Sequence, residues 1–379
     1  MQLVIKRRDL FRSLARTHTI ADRKSSMPIL SNVLISTEGP KTLRLASTDL
    51  YLSITSMATA EVKEGGTMAV SARTLFEIVR NLPEGEVYIN TVDNNAFEIL
   101  LGKVRFKIPG MPGEDFPSLP IVKDGEFVEL SMDVIGKLVT LTHYAMSTDE
   151  TRPHLSGAMF EGDGKLIRMV ATDGHRLSKA EHRLSEGEGM LNFKMMVPSK
   201  GISELKRMVE EESRTDRGKE EEAIANIGVT TSSGNAFFRR GDVTLSVRLS
   251  DEDFPPYGTV IPQAKEKRVF IARTLMIDAL RRISLLAREK TGVVHFVLST
   301  GKLVIKSENP ELGEGQEEID VDYDGDDIEI GFNARYLIDV LSAITEENVV
   351  LELNGELDPG VVRPDGATGF LGVIMPMRI

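Results

Sequence analysis

The chain repeats itself three times, and this constrains its fold more than any other feature. Three segments open with a short β-rich run, pass one polar position and continue as an amphipathic helix: Leu3–Leu14, Phe127–Leu138 and Val269–Leu280. In the first, Leu10, Leu14 and Thr17 fall on one helical face; in the third, Leu280, Ile283 and Ala287 do the same. A second helix recurs at Val70–Val79, Val197–Leu205 and Phe332–Leu341, each beginning at Ser, Pro-Ser or Asn, residues suited to a helix start. Strands recur too: Leu43–Asp49 parallels Ile167–Asp173, and Leu303–Asn309 is a weaker third copy. Glu-Asp-Phe-Pro closes two of the units, at 114–117 and 252–255. The spacing predicts three domains, 1–125, 126–265 and 266–379, of the usual domain size. Alternating strands joined by turns such as Glu64-Gly65-Gly66 and Asp324-Gly325-Asp326 predict antiparallel sheets. With only two helices per unit, helices on one face of a sheet are expected, an α+β class.

Composition narrows the chemistry. The 379 residues include no Cys and no Trp, so thiolate metal sites, disulfides and a Cys nucleophile are excluded and the cores must be aliphatic. No stretch approaches the roughly 20 apolar residues of a membrane span, and the first residues are too short an apolar run for a signal segment. A cytoplasmic protein is expected. The net charge of −12 argues against a nucleic-acid binder at whole-chain level, but the charge is uneven. Residues 1–125 carry 16 basic against 14 acidic residues, 126–265 carry 18 against 23, and 266–379 carry 12 against 21. The basic residues gather on the repeated helices: Arg8, Arg12 and Arg16; Arg73 and Arg80; Lys200, Lys206 and Arg207; Arg281, Arg282 and Arg288. Such a stripe is either a solvated helix face or a phosphate-contacting one.

Two motifs imitate other chemistry. Asp173-Gly174-His175-Arg176 invites a hydrolytic or metal reading, yet a turn stabilised by the Asp side chain accounts for it with no second ligand cluster required. Asp320–Gly325 imitates the start of an EF-hand loop, but its twelfth position is Gly331 where a bidentate Glu belongs, so an acidic hairpin is expected. The charged run 210–222 reads as a solvated loop. A nucleic-acid-binding module that forms no ring is the alternative function.

The run Ala171–Leu177, the segment Met27-Pro28-Ile29-Leu30 and the ending Val373–Ile379 resemble the bacterial DNA sliding clamps, the β subunits of DNA polymerase III, and the similarity follows all three units in order. The resemblance implies a non-enzymatic processivity factor without catalytic residues, metal or cofactor: a head-to-tail homodimer whose six clamp domains form a ring, helices inside and sheets outside, around duplex DNA. A helix-lined basic bore within an acidic rim fits the charge distribution. It further implies that partners, namely the replicative polymerase, the clamp loader, and other polymerases and repair proteins with short linear motifs, enter a cleft. That cleft would comprise Leu155, Thr172, Gly174, His175, Arg176, Leu177, Pro255, Val260, Val373, Met375, Pro376, Met377 and Arg378. Its Met and Leu would be adaptable walls, with His and Arg supplying hydrogen bonds. Lys24, Arg73 and Lys200 would contact DNA. Phe106 and Ile108 would meet Leu285 and Leu286 across the dimer interface. At Asp149, Pro153 and His154 the chain departs from the family's Gln and paired Tyr, and Thr259 and Thr291 also differ.

Overall fold

The computed structural model describes residues 1–21, 25–92, 95–122, 127–149, 151–185, 191–211, 226–263, 267–288, 291–366 and 368–378. Compactness divides the chain into two units, 1–132 with 216–249, and 133–215 with 250–379. The middle repeat thus supplies strands to both.

The first unit holds one 13-stranded order of hydrogen-bonded strands. The strands Asn32–Glu38, Thr42–Thr48 and Leu52–Thr59 form a meander; beyond its edge, Leu52–Thr59 pairs with Val243–Arg248, Leu52 opposite Val247 and Ser56 opposite Val243. The helices Arg7–Thr17 and Ala72–Asn81 cover a core that includes Leu10, Leu14, Leu75 and Val79. Ser71 caps the second helix by accepting a hydrogen bond from Thr74 N at 3.3 Å, which satisfies one of the free amides of its first turn.

The second unit contains an eight-stranded sheet and a four-stranded sheet. In the larger, Arg176–Arg183 is flanked by Leu166–Thr172 and Phe370–Ile374. Helix Ala334–Ala343, capped by Asn333 on Arg335 N and Tyr336 N, lies close over strand Phe370–Ile374. A Cβ at Gly372 would stand 2.5 Å from the Val340 side chain, so only glycine admits this approach. Every strand pairing among the described residues is antiparallel, as the alternation predicted.

Four local expectations are corrected. Ser199 does not cap the helix Ser199–Glu210; Pro198 occupies that position and no side chain caps it. The helix Arg273–Ile283 ends before Ala287, passing into a tight turn at Ser284–Leu286. The 320–325 segment is no hairpin, because the strands before and after it, Gly313–Asp320 and Ile328–Asn333, lie at opposite edges of their sheet. Its Val321 and Tyr323 are buried, and the Tyr323 hydroxyl donates to Asp326 O at 2.6 Å. Finally, the Arg8–Arg12–Arg16 stripe is not one exposed face. Arg16 is 6% exposed and binds both carboxylate oxygens of Asp242, at 3.1 and 3.2 Å. Asp242→Asn is expected to lower the first unit's stability by about 1–2 kcal/mol by weakening a charge-assisted bond. Denaturant titration of both forms checks it.

Candidate partner-binding cleft

The residues expected to line a cleft all fall in the second unit, several of them at or beside the turn between Leu166–Thr172 and Arg176–Arg183. Thr172 Oγ1 donates to Arg176 O at 2.6 Å and accepts from Gly174 N at 3.1 Å. Asp173 Oδ1 accepts from the amides of His175 and Arg176, at 2.9 and 3.0 Å. Gly174 sits at φ +89°, where a side chain is strained. A Cβ there would lie 3.8 Å from Leu155 Cδ1 and 3.4 Å from the Arg152 guanidinium. These bonds explain Asp173-Gly174-His175 as a turn. Among the described residues, no three His, Asp or Glu side chains are grouped to hold a metal ion.

Arg176 turns inward. Its Nε donates to Asp173 at 3.0 Å, one terminal nitrogen to Asp339 at 2.6 Å and the other to Tyr144 O at 2.6 Å. The guanidinium also lies 4.5 Å from the centre of the Tyr336 ring. Its side chain is 11% exposed, and the bond to Asp339 ties the turn to helix Ala334–Ala343. Tyr144 beside it is half-buried, and desolvation pushes its phenol well above the ordinary range; its hydroxyl donates to Ser178 at 3.2 Å. His175 is exposed at the tip.

Leu177 pairs with Val373 across neighbouring strands, and both belong to a buried cluster with Met159, Val170, Met196 and Leu371. Phe254, Tyr257 and Ile261 pack on that cluster, so the segment bearing Pro255 and Val260 lies against it. Val260 and Met375 remain 45% and 40% exposed. The strand ends at Ile374, before Pro376; Met375 N donates to His175 O at 2.9 Å, and Met377 pairs with Gly331 through a 2.8 Å bond. Arg378 is exposed. The sequence reading did not single out Met159, Val170 and Met196 of this cluster, which the strand alternation could have revealed, nor Arg152 beside Gly174, for which no local pattern gave a signal.

The surfaces expected to close a dimer carry exposed apolar groups. Phe106 is 39% exposed, with Ile108 packed on the first unit's core behind it. A recess of about 530 Å³ joins Phe106 and Val104 to Ile78 and Arg73. Leu285 is 76% exposed, and Leu286 is half-buried near Gly315. Arg73 and Lys200 are exposed in the first turns of their helices; Lys24 lies outside the described residues.

Comparison with known proteins bears on the whole chain. Residues 1–120, 129–256 and 258–378 match, in order, the N-terminal, central and C-terminal domains of the DNA polymerase III beta subunit. A beta sliding clamp of Caulobacter vibrioides is 33% identical over 387 residues, and that of Escherichia coli 31% over 380, each covering 100% of both chains. A solved sliding clamp from Pseudomonas aeruginosa, bound to griselimycin, superposes with a TM-score of 0.91 at 31% identity, and one from Caulobacter crescentus with 0.90 at 32%, again over 100% of both chains. The threefold repeat, the antiparallel sheets with paired helices and these end-to-end matches agree: the chain belongs to the beta sliding clamp family, the DNA polymerase III beta subunits.

Proposed function

We propose that two copies of this chain close head to tail into a six-domain ring on duplex DNA, in the cytoplasm, and hold the replicative polymerase and other clients by short linear segments seated in the cleft. The clamp loader would use the same surface. The observation that carries this reading is a pair of open sheet edges, each beside an apolar side chain that is at least partly exposed. In the first unit, residues 104–109 pair with Ala96–Leu101 on one side only, next to Phe106. In the second, Gly313–Asp320 is an edge strand that, among the described residues, pairs only with Lys302–Asn309, and Gly315 on it lies beside Leu286. Exposed edges invite pairing with another chain, and apolar centres within polar rims suit an interface. The basic first unit would then meet the acidic last repeat, a register that opposite charge favours. The domain limits 1–125, 126–265 and 266–379 belong to this reading.

Arg73, Lys200 and Lys24 would contact phosphates without reading bases. Direct binding should therefore be sequence-blind, salt-sensitive and weak, with Kd on the order of 10⁻⁴–10⁻⁶ M at physiological salt. A ring loaded on a nicked circle is expected to stay bound through a gel-filtration step and to run off once the circle is linearised. Equal retention on the linear DNA would eliminate encirclement and favour a binding module that forms no ring.

A further inference from the structure

We propose that Tyr257 is a positioning residue of the partner cleft: its hydroxyl, held between Glu161 and Arg168, fixes the segment 254–261 as the cleft's wall. The inference rests on the cleft reading above. Tyr257 Oη donates to Glu161 Oε2 at 2.9 Å and lies 3.3 Å from an Arg168 terminal nitrogen, which donates to it and also to Glu161 at 3.2 Å. Arg168 Nε donates to Glu181 at 3.1 Å, and Lys179 approaches the same carboxylate at 2.9 Å. Burial works against the Glu181 carboxylate, but its hydrogen bonds from Lys179 and Arg168 outweigh this and hold its pKa below the ordinary value. Arg168 is thus held between two carboxylates on the sheet, and the Tyr257 hydroxyl joins them. From that anchor the segment runs both ways along the cleft. Phe254 meets the Tyr257 ring edge-on at 6.3 Å, and Val260 N donates to Tyr257 O at 3.3 Å. Pro255 and Val260, the two wall residues, thus flank a single pinned side chain.

The internal repeat supplies a control. The first repeat builds the same turn, with Thr48 Oγ1 donating to Leu52 O and Asp49 accepting from the amides of Tyr51 and Leu52. Its Phe116 corresponds to Phe254 through the shared Glu-Asp-Phe-Pro. Yet where the second repeat has Glu161 opposite Arg168 opposite Glu181, the first has Ser36, Arg44 and Met57, and Leu119 stands in place of Tyr257. Ser36 Oγ has no hydrogen-bond partner. In the third repeat Val297 faces Val304 at the Glu–Arg positions. A network needed only to stabilise the sheet would serve all three copies equally. Among the described residues it occurs only in the second repeat, on the sheet that carries Leu177 beside Val373.

The test measures binding of a fluorescein-labelled six-residue peptide, with one Gln and Leu anchors, to the full-length dimer by anisotropy. Tyr257→Phe is expected to weaken binding about tenfold, as loss of a hydrogen bond to a charged group allows. Glu161→Leu should reproduce that loss, and Glu161→Gln, which keeps an acceptor oxygen, should retain most of the affinity. Because the hydroxyl acts through the wall, the Tyr257→Phe effect should largely vanish in a Val260→Ala background. Unchanged affinity in Tyr257→Phe or Glu161→Leu overturns the proposal, as does an equal loss in both backgrounds. If Val260→Ala and removal of 375–379 both leave peptide binding intact, the cleft reading itself fails, and the proposal with it.

Discussion

A chain carrying Leu285→Asp with Leu286→Asp is expected to fold normally and to scatter light as a monomer of 41.9 kDa, where the parent gives twice that mass. The 76% exposure of Leu285 means that the chain itself loses almost nothing when this side chain becomes polar. The loss falls on association. Burying one leucine contributes roughly 1.5–3 kcal/mol, and a closed dimeric ring makes the contact twice. Each new carboxylate would also have to leave water to meet an apolar surface, a cost that falls on association alone. Arg282, the neighbouring cation, is already engaged by Glu317, at 2.5 and 2.9 Å. A circular dichroism spectrum matching the parent's completes the measurement. Retention of the dimer would place the interface elsewhere.

Removal of residues 375–379 is expected to leave a folded, dimeric protein that no longer stimulates its polymerase and binds client peptides more weakly by at least ~2 kcal/mol, about thirtyfold, the scale of an interface hot spot. The deletion takes away the exposed Met375 and the half-buried Pro376 and Met377. In exchange the domain loses two main-chain bonds, Met375 to His175 and Met377 to Gly331, each worth about 1 kcal/mol. The strand Phe370–Ile374 keeps both of its neighbours. Calorimetric titration of one peptide against both forms decides the matter: equal affinities would move the cleft away from the tail. A collapsed thermal transition would show instead that Met377 on Gly331 is chiefly a structural tie.

Much of this architecture was legible because it is local and repeated. Thr48-Asp49 and Thr172-Asp173 share both sequence and hydrogen bonds, so the turn that bears His175 could be read twice. Ser71 and Asn333 announced their helices as caps. What escaped was non-local. Nothing around Leu52 encodes its pairing with Val247, so the allotment of the middle repeat's strands to both units had no sequence signature. The arginine stripe misled for a geometric reason. Each four-residue step on a helix advances about 40°, so Arg16 stands roughly 80° around from Arg8 and turns toward Asp242. The surroundings of Arg176 were hidden because the acceptors its guanidinium meets, Asp339 and Tyr144 O, are far away in sequence.

The seam between Leu52–Thr59 and Val243–Arg248 also sets a timetable for the ribosome. At roughly 5–20 residues per second of synthesis, the edge of Leu52–Thr59 waits on the order of 10–40 s before its partner strand emerges. During that interval the nascent chain exposes an unpaired, uncharged strand edge, the kind of template on which neighbouring nascent chains aggregate. Production of this protein should therefore depend on holdase chaperones and on translation speed across residues 60–240 more than its finished stability suggests.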